Sequence, residues 1–150
     1  MLCAMVWWEK RWGSGMLGQT IENETKIILI EDSELIRGIV LEAIEGIEGV
    51  RVVAYADGQE LALSKIEAHR PDLIVLDLEL VEGDGLGVLQ ALHSQPNKYG
   101  APIKLIYTNY SSNMIKRRCE IFDIQGYFDK SYQFDELLVR IKSFVKSTAL

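Results

Sequence analysis

Five polar side chains stand at the ends of short apolar runs, and together they could move a phosphoryl group. Glu31 and Asp32 follow KIILI at 26–30, and Asp77 follows DLIVL at 72–76. Thr108 closes IKLIY at 103–107, and Lys130 follows GYFD at 126–129. Three carboxylates brought together without a counterion repel one another and raise one another's pKa. A hard divalent cation such as Mg2+ resolves this, because it takes oxygen ligands and keeps waters and phosphate oxygens beside one or two carboxylates. An aspartate in that setting can attack phosphorus and form an aspartyl phosphate. The cation and a lysine ammonium then stabilise the equatorial phosphoryl charge, while a threonine hydroxyl can donate to a phosphoryl oxygen.

Taken singly, each residue has a plainer role. Glu31 and Asp32 suit the positive end of a helix dipole. Asp77 can cap a turn, Thr108 can end a strand, and Lys130 can sit on the surface. The order carries the reading, since all five fall, in order, at the ends of four of the apolar runs.

The elements that must position them follow from periodicity. The runs at 26–30 and 72–76 are continuously apolar, as strands buried on both faces are. Further strands are expected at 50–54, 103–107 and 126–129. Between the first two, Leu35, Ile36, Ile39, Val40, Ala43, Ile44 and Ile47 recur at three- and four-residue steps, which predicts an amphipathic helix over 33–47. Asp57-Gly58-Gln59-Glu60 reads as a helix start with an Asp cap and a Glu three residues on. That helix runs to about His69, before Pro71 forbids continuation. Helices are also predicted over 86–94, 111–120 and 134–145. Strict alternation gives an α/β fold, a five-stranded parallel sheet doubly wound as (βα)5 over residues 26–147. Ligands of such sheets bind at the carboxyl ends of the strands, beside the topological switch point.

A chain of 150 residues is about one domain. With 48% hydrophobic and 25% charged residues it is not disordered throughout. The net charge of −6 lacks the basic footprint of a nucleic-acid binder. Cys3 and Cys119 have no metal or redox spacing, and a reducing compartment suits them. No run approaches the ~18 apolar residues of a membrane span. In MLCAMVWW the charges Lys10 and Arg11 follow the apolar run, the wrong order for a secretory signal. A cytoplasmic protein is expected. Residues 1–25 hold Trp7, Trp8 and Trp12 and read as a disordered N-terminal extension, possible roles being an upstream stretch before a start at Met16, an interfacial anchor or a partner-binding peptide. Residues 148–150 are a tail.

The set resembles the receiver domain of bacterial response regulators, the fold of the chemotaxis regulator CheY, over residues 26–147. The matching residues are the acidic pair Glu31 and Asp32, Asp77 in IVLDLEL, Gly85, Thr108, Tyr127 and Lys130. The resemblance implies that Asp77 accepts a phosphoryl group from a sensor histidine kinase or a histidine phosphotransfer protein. It implies Mg2+ held by Asp32 and Asp77, by Glu31 directly or through water, and by the backbone carbonyl of Glu79. Lys130 would stabilise the phosphoryl charge. Thr108 would move toward it, Tyr127 would rotate inward, and the surface over 108–132 would change its affinity for a downstream protein. No stretch for a DNA-binding effector follows residue 147, so a stand-alone receiver without enzymatic turnover is expected in two-component signalling. Three alternatives stay open. One is a pseudo-receiver binding module that takes no phosphate. The second is an aspartyl-phosphate phosphatase, disfavoured because Asp77-Leu78-Glu79 follows the third strand and not the first. The third, a flavodoxin-like cofactor protein, lacks a phosphate-cradling loop after the first strand.

Four positions depart from the family pattern. Val81 and Ser131 stand where proline is common, Asn109 follows the switch threonine in place of a small residue, and Glu79 adds an anion beside the site. Glu79 and Asn109 are expected to set phosphoryl lifetime by controlling access of attacking water. Dephosphorylation rates should therefore change in Glu79→Ala and in Asn109→Ala; unchanged rates in both would exclude this role.

Overall fold

The computed structural model describes residues 23–110 and 112–146. Most of the expected extension over 1–25, including all three Trp residues, and the tail over 148–150 lie outside the described residues. Five strands form one parallel sheet: β1 (Thr25–Ile30), β2 (Val50–Ala56), β3 (Leu73–Leu76), β4 (Ile103–Thr108) and β5 (Gly126–Asp129). Their order is β2-β1-β3-β4-β5, every neighbouring pair parallel. The chain leaves β1 toward one edge and returns to build β3 on its other side. The switch point therefore lies between the carboxyl ends of β1 and β3.

The helices are α1 (Glu34–Glu45), α2 (Gln59–His69), α3 (Gly85–Ser94), α4 (Pro96–Tyr99), α5 (Asn113–Glu120) and α6 (Phe134–Ser143). They cover both faces of the sheet. On one face Ile27, Leu29, Val75, Leu105 and Phe128 pack with Val40 and Ile44 of α1 and Leu137 and Ile141 of α6. On the other, Ile28, Ile30, Ile74, Leu76 and Ile106 pack with Ala62 and Ile66 of α2, Val88 and Leu89 of α3 and Cys119 of α5. Successive strand residues alternate between faces, so both faces must be apolar. Each fully buried Ile or Leu contributes roughly 2 kcal/mol, which is why the strand sequences run continuously apolar.

Several local expectations change. The helix over 33–47 is shorter, with Ser33 as N-cap, its Oγ accepting from Ile36 N at 3.3 Å. Its apolar stripe is wider than its buried face: Val40 and Ile44 are buried, whereas Leu35 and Ile39 are 74% and 53% exposed. Asp57 does not cap α2. Gly58 takes that position without a side-chain bond, and Glu60 N donates to Glu82 Oε1 at 3.0 Å. A carboxylate from the β3–α3 loop thus supplies the acceptor that a local cap would have provided. β2 extends to Ala56, and α6 ends at Ser143. Helix α4, started by Pro96, was not expected; it buries Tyr99 beneath α2 and α3.

Candidate functional site

Strand register brings the five side chains to one edge. Ile30 pairs with Leu76, so Glu31 and Asp77 leave adjacent strands at the same height, and Asp77 N donates to Ile30 O at 2.9 Å. Thr108 pairs with Asp129, and Lys130 N donates to Thr108 O at 3.0 Å. All of these groups stand on strand ends, where sheet hydrogen bonding holds the backbone.

Lys130 joins the two sides. Its Nζ lies 2.6 Å from Glu31 Oε1 and 2.6 Å from Asp77 Oδ2. The three side chains are only 8%, 2% and 3% exposed respectively. The sequence places Lys130 beside the phosphoryl group; the fold also makes it, just past β5, the counterion of both buried carboxylates. Burial works against the Lys130 ammonium, but its bonds to Asp77 and Glu31 outweigh this and raise its pKa. Burial also raises the pKa of Glu31, against the lowering effect of Lys130 and of Ser33 N. The two directions are compatible. One ammonium serves two carboxylates, so net negative charge stays buried, and Glu31 bears the cost.

Carboxylate oxygens of Glu31, Asp32 and Asp77 lie within 4.8 Å of one another. This all-oxygen donor set suits Mg2+. Asp32 is the more accessible member, while Glu31 Oε2 already accepts from Ser33 N at 3.1 Å. Asp77 Oδ1 accepts from Glu79 N at 3.1 Å, which ties the following loop to the carboxylate. Gly85 lets that loop close: a Cβ there would lie 2.6 Å from Asp77 O and 2.8 Å from Leu78 Cα.

Thr108 is fully buried, and its Oγ1 accepts from Tyr110 N at 3.4 Å. The Tyr127 hydroxyl donates to Tyr110 O. One residue, Tyr110, therefore links threonine and tyrosine through its backbone. The resemblance implied a Tyr127 that rotates inward; here the side chain is half-buried with its hydroxyl already engaged. Burial pushes its pKa up to about 12, so it remains a donor at any physiological pH.

Two supporting residues escaped the sequence reading. Arg37 donates from Nη1 to Glu31 O at 3.0 Å and lies 4.8 Å from the Tyr55 ring centroid. Gln59 reaches across to the β3–α3 loop, where its Oε1 accepts from Asp84 N at 3.0 Å. Arg37 sits one turn into α1 and had a local signal; Gln59 acts over 25 residues and had none.

A doubly wound (βα)5 sandwich carrying an acidic pocket, a hydroxyl and a bridging lysine at its carboxyl edge is a flavodoxin/CheY-like module. The chain belongs to the response regulator receiver domain family, whose model matches residues 27–142, and is thus a receiver domain of two-component signalling. Among curated relatives, it is 32% identical over 104 residues to a protein-glutamate methylesterase/protein-glutamine glutaminase of Desulfotalea psychrophila, covering 69% of this chain and 28% of that protein. The corresponding protein of Clostridium acetobutylicum is 28% identical over 127 residues, covering 78% of this chain and 36% of that one. The match thus spans between a quarter and two fifths of either enzyme. Among solved structures, a two-component response regulator of the LuxR family from Aurantimonas sp. superposes with a TM-score of 0.73 at 25% identity, covering 81% of this chain and 85% of that chain. The response regulator domain of Thermotoga maritima CheB, at 16% identity, TM-score 0.70 and coverage of 81% and 93%, shares the fold. Among the described residues no helix is long and apolar enough to cross a membrane.

Proposed function

We propose that this chain is a phosphorylation switch in which Asp77 is the phosphoacceptor. The observation that carries it is Lys130 Nζ at 2.6 Å from Asp77, inside a cluster of three carboxylates. An Asp77 oxygen forms the bond to phosphorus as the P–N bond of a donor phosphohistidine breaks, and the imidazole nitrogen leaves with the electron pair. Lys130 is held charged by its partners and meets the phosphoryl oxygens as they arrive. Thr108 donates its hydroxyl to one of them. Asp32 and Asp77, with the Glu79 backbone carbonyl, would hold Mg2+; the engagement of both Glu31 oxygens supports a water-mediated role for that residue. When bound, Mg2+ neutralises charge on the carboxylates and on the transferring group.

The switch then travels through Tyr110. Drawing Thr108 toward the phosphoryl group takes Oγ1 from Tyr110 N, and Tyr127 follows through the Tyr110 carbonyl. Tyr110, Met114, Ile121 and Tyr132, exposed between residues 108 and 132, form the surface whose partner affinity changes. Phosphorylation shifts the balance only by its different interaction with the two states. The receiver unit spans 26–147, with 1–25 as extension and 148–150 as tail. It acts in the cytoplasm through contact with a downstream protein, and this unit turns over nothing beyond its own phosphate. Intact-mass analysis after incubation with acetyl phosphate and Mg2+ tests this; a chain that gains no phosphate from any donor is a pseudo-receiver.

The donor docks on α1. Leu35, Gly38 and Ile39 form an exposed stripe directly after Asp32, and a Cβ at Gly38 would meet nothing within 4 Å. An apolar stripe with a glycine admits a partner helix closely. Ile39→Glu should slow phosphotransfer from the cognate kinase or phosphotransfer protein about tenfold, the loss of one buried apolar anchor. Phosphorylation by acetyl phosphate should be unchanged. Equal slowing with both donors would place Ile39 in the chemistry and not in docking.

A further inference from the structure

The loop between β3 and α3 is closed on itself and fastened to α2. Glu79 and Asp84 bridge across it, and Gly85 N donates to Leu78 O at 3.0 Å. Four hydrogen bonds fasten it: Val81 N to Asp57 O at 3.1 Å, Gln59 N to Glu82 O at 2.9 Å, Glu60 N to Glu82 Oε1 at 3.0 Å, and Asp84 N to Gln59 Oε1 at 3.0 Å. Only the last uses a side chain of α2. The space for that side chain is kept open by two glycines: a Cβ at Gly83 or at Gly87 would lie 2.3 Å from Gln59 Oε1. No proline stiffens the backbone between Asp77 and Gln95. Its stiffness has to come from these bonds.

We propose that Gln59 is a positioning residue for the metal site. Its Oε1 holds Asp84 N, and through the Glu79–Asp84 bridge it holds Glu79, whose N–H bonds Asp77 Oδ1 and whose carbonyl would be a ligand of Mg2+. Without this hold the loop samples positions that do not bind, and apparent affinity falls by the fraction lost. The role rests on the Mg2+ reading given under Proposed function.

Gly87 gives the test its discrimination. Alanine there has ordinary helical geometry, because the residue lies in α3 without a positive φ. It raises helix propensity over glycine. Its Cβ displaces only the far end of a flexible side chain, which moves away and releases Asp84 N. Metal affinity should therefore fall without a loss of stability.

The experiment is calorimetric titration of the full chain with Mg2+, with amide exchange read over residues 79–84. Gln59→Met keeps the volume and removes the acceptor; it should weaken Mg2+ binding about fivefold, equivalent to one hydrogen bond of ~1 kcal/mol. Exchange at Asp84 should quicken. Gln59→Glu keeps the acceptor and should bind at least as tightly as the wild type. Gly87→Ala should weaken binding about as much as Gln59→Met, with Tm unchanged or raised. In a Gln59→Ala background, Gly87→Ala should have no further effect on Mg2+ affinity. Equal affinity of wild type, Gln59→Met and Gly87→Ala overturns the positioning role alone. No Mg2+ binding by the wild type overturns the metal reading, and this role with it.

Discussion

Asp77→Asn should take up no phosphoryl group from acetyl phosphate and Mg2+, under conditions in which the wild type gains one base-labile phosphate. An amide oxygen is not a nucleophile for phosphorus, and no other carboxylate stands where Asp77 does. Asp77 is 97% buried at the side chain, bonded by Lys130 through one oxygen and by Glu79 N through the other. Asp32 is more accessible but lacks the lysine contact. The substitution should leave the fold intact. Asparagine keeps the shape, and Lys130 retains Glu31 as its partner. Asp77's charge is one of the effects that raise the Glu31 pKa, so its removal eases the strain on Glu31. Stability at neutral pH should stay within about 1 kcal/mol of the wild type, the net worth of an ordinary hydrogen bond. Intact mass and Tm on the same preparations check both parts. A phosphate adduct of undiminished yield in Asp77→Asn would move the acceptor elsewhere.

The strands and the site were legible in the sequence for one reason. A parallel sheet covered on both faces forces continuous apolar runs, and the residue at which a run stops is placed at the carboxyl edge. Glu31, Asp77, Thr108 and Lys130 could be located from that stop alone. What stayed hidden depends on contacts between distant segments. Asp57 and Glu60 have the spacing of a capping box, yet Glu82, 22 residues on, provides the acceptor for Glu60 N. Leu35 and Ile39 fit the helical period as well as Val40 does. Periodicity finds an apolar stripe but not the part of it that the sheet covers. α4 is a single turn, too short to show any period. The pairing of Lys130 with Glu31 as well as Asp77 required the strand order, which alternation alone does not supply.

That pairing also sets how stability and chemistry depend on the same ammonium. Two carboxylates, each at least 97% buried at the side chain, share Lys130. They are useful because they are close, and they are tolerated because the lysine lies between them. Mg2+, when bound, would join the ammonium in cancelling negative charge in a space from which water is largely excluded.

Lys130→Met separates the two. It keeps the length of the stem and removes the charge, leaving Glu31 and Asp77 buried without a cation. Breaking a buried ion pair in this way costs about 3 kcal/mol, and losing one donor to the transferring group should slow phosphorylation by ~10²-fold. The stability loss has a definite pH dependence. The Glu31 pKa is already raised above 4.5 in the fold, and the hydrogen bond and charge of Lys130 are among the effects that restrain it. In Lys130→Met it rises further. A carboxyl with a raised folded pKa gives its full stabilisation below its unfolded value and loses it as pH climbs through the folded value. The deficit of the variant should thus be small below about pH 4.5 and grow toward neutrality. Lys130 itself has a raised pKa, so its contribution in the wild type persists at neutral pH and is lost as pH rises through a value above 10.5. The gap between the two proteins should then narrow again. Mg2+ bound at the acidic cluster would stabilise both folded proteins, and the variant more, because there it supplies the cation that Lys130 no longer provides; millimolar Mg2+ should therefore narrow the neutral-pH deficit. Denaturant unfolding of both proteins from pH 4 to pH 11, with and without Mg2+, checks the whole profile. A deficit independent of pH would mean that the variant loses stability for a reason other than the missing charge, and that the two carboxylates do not need it.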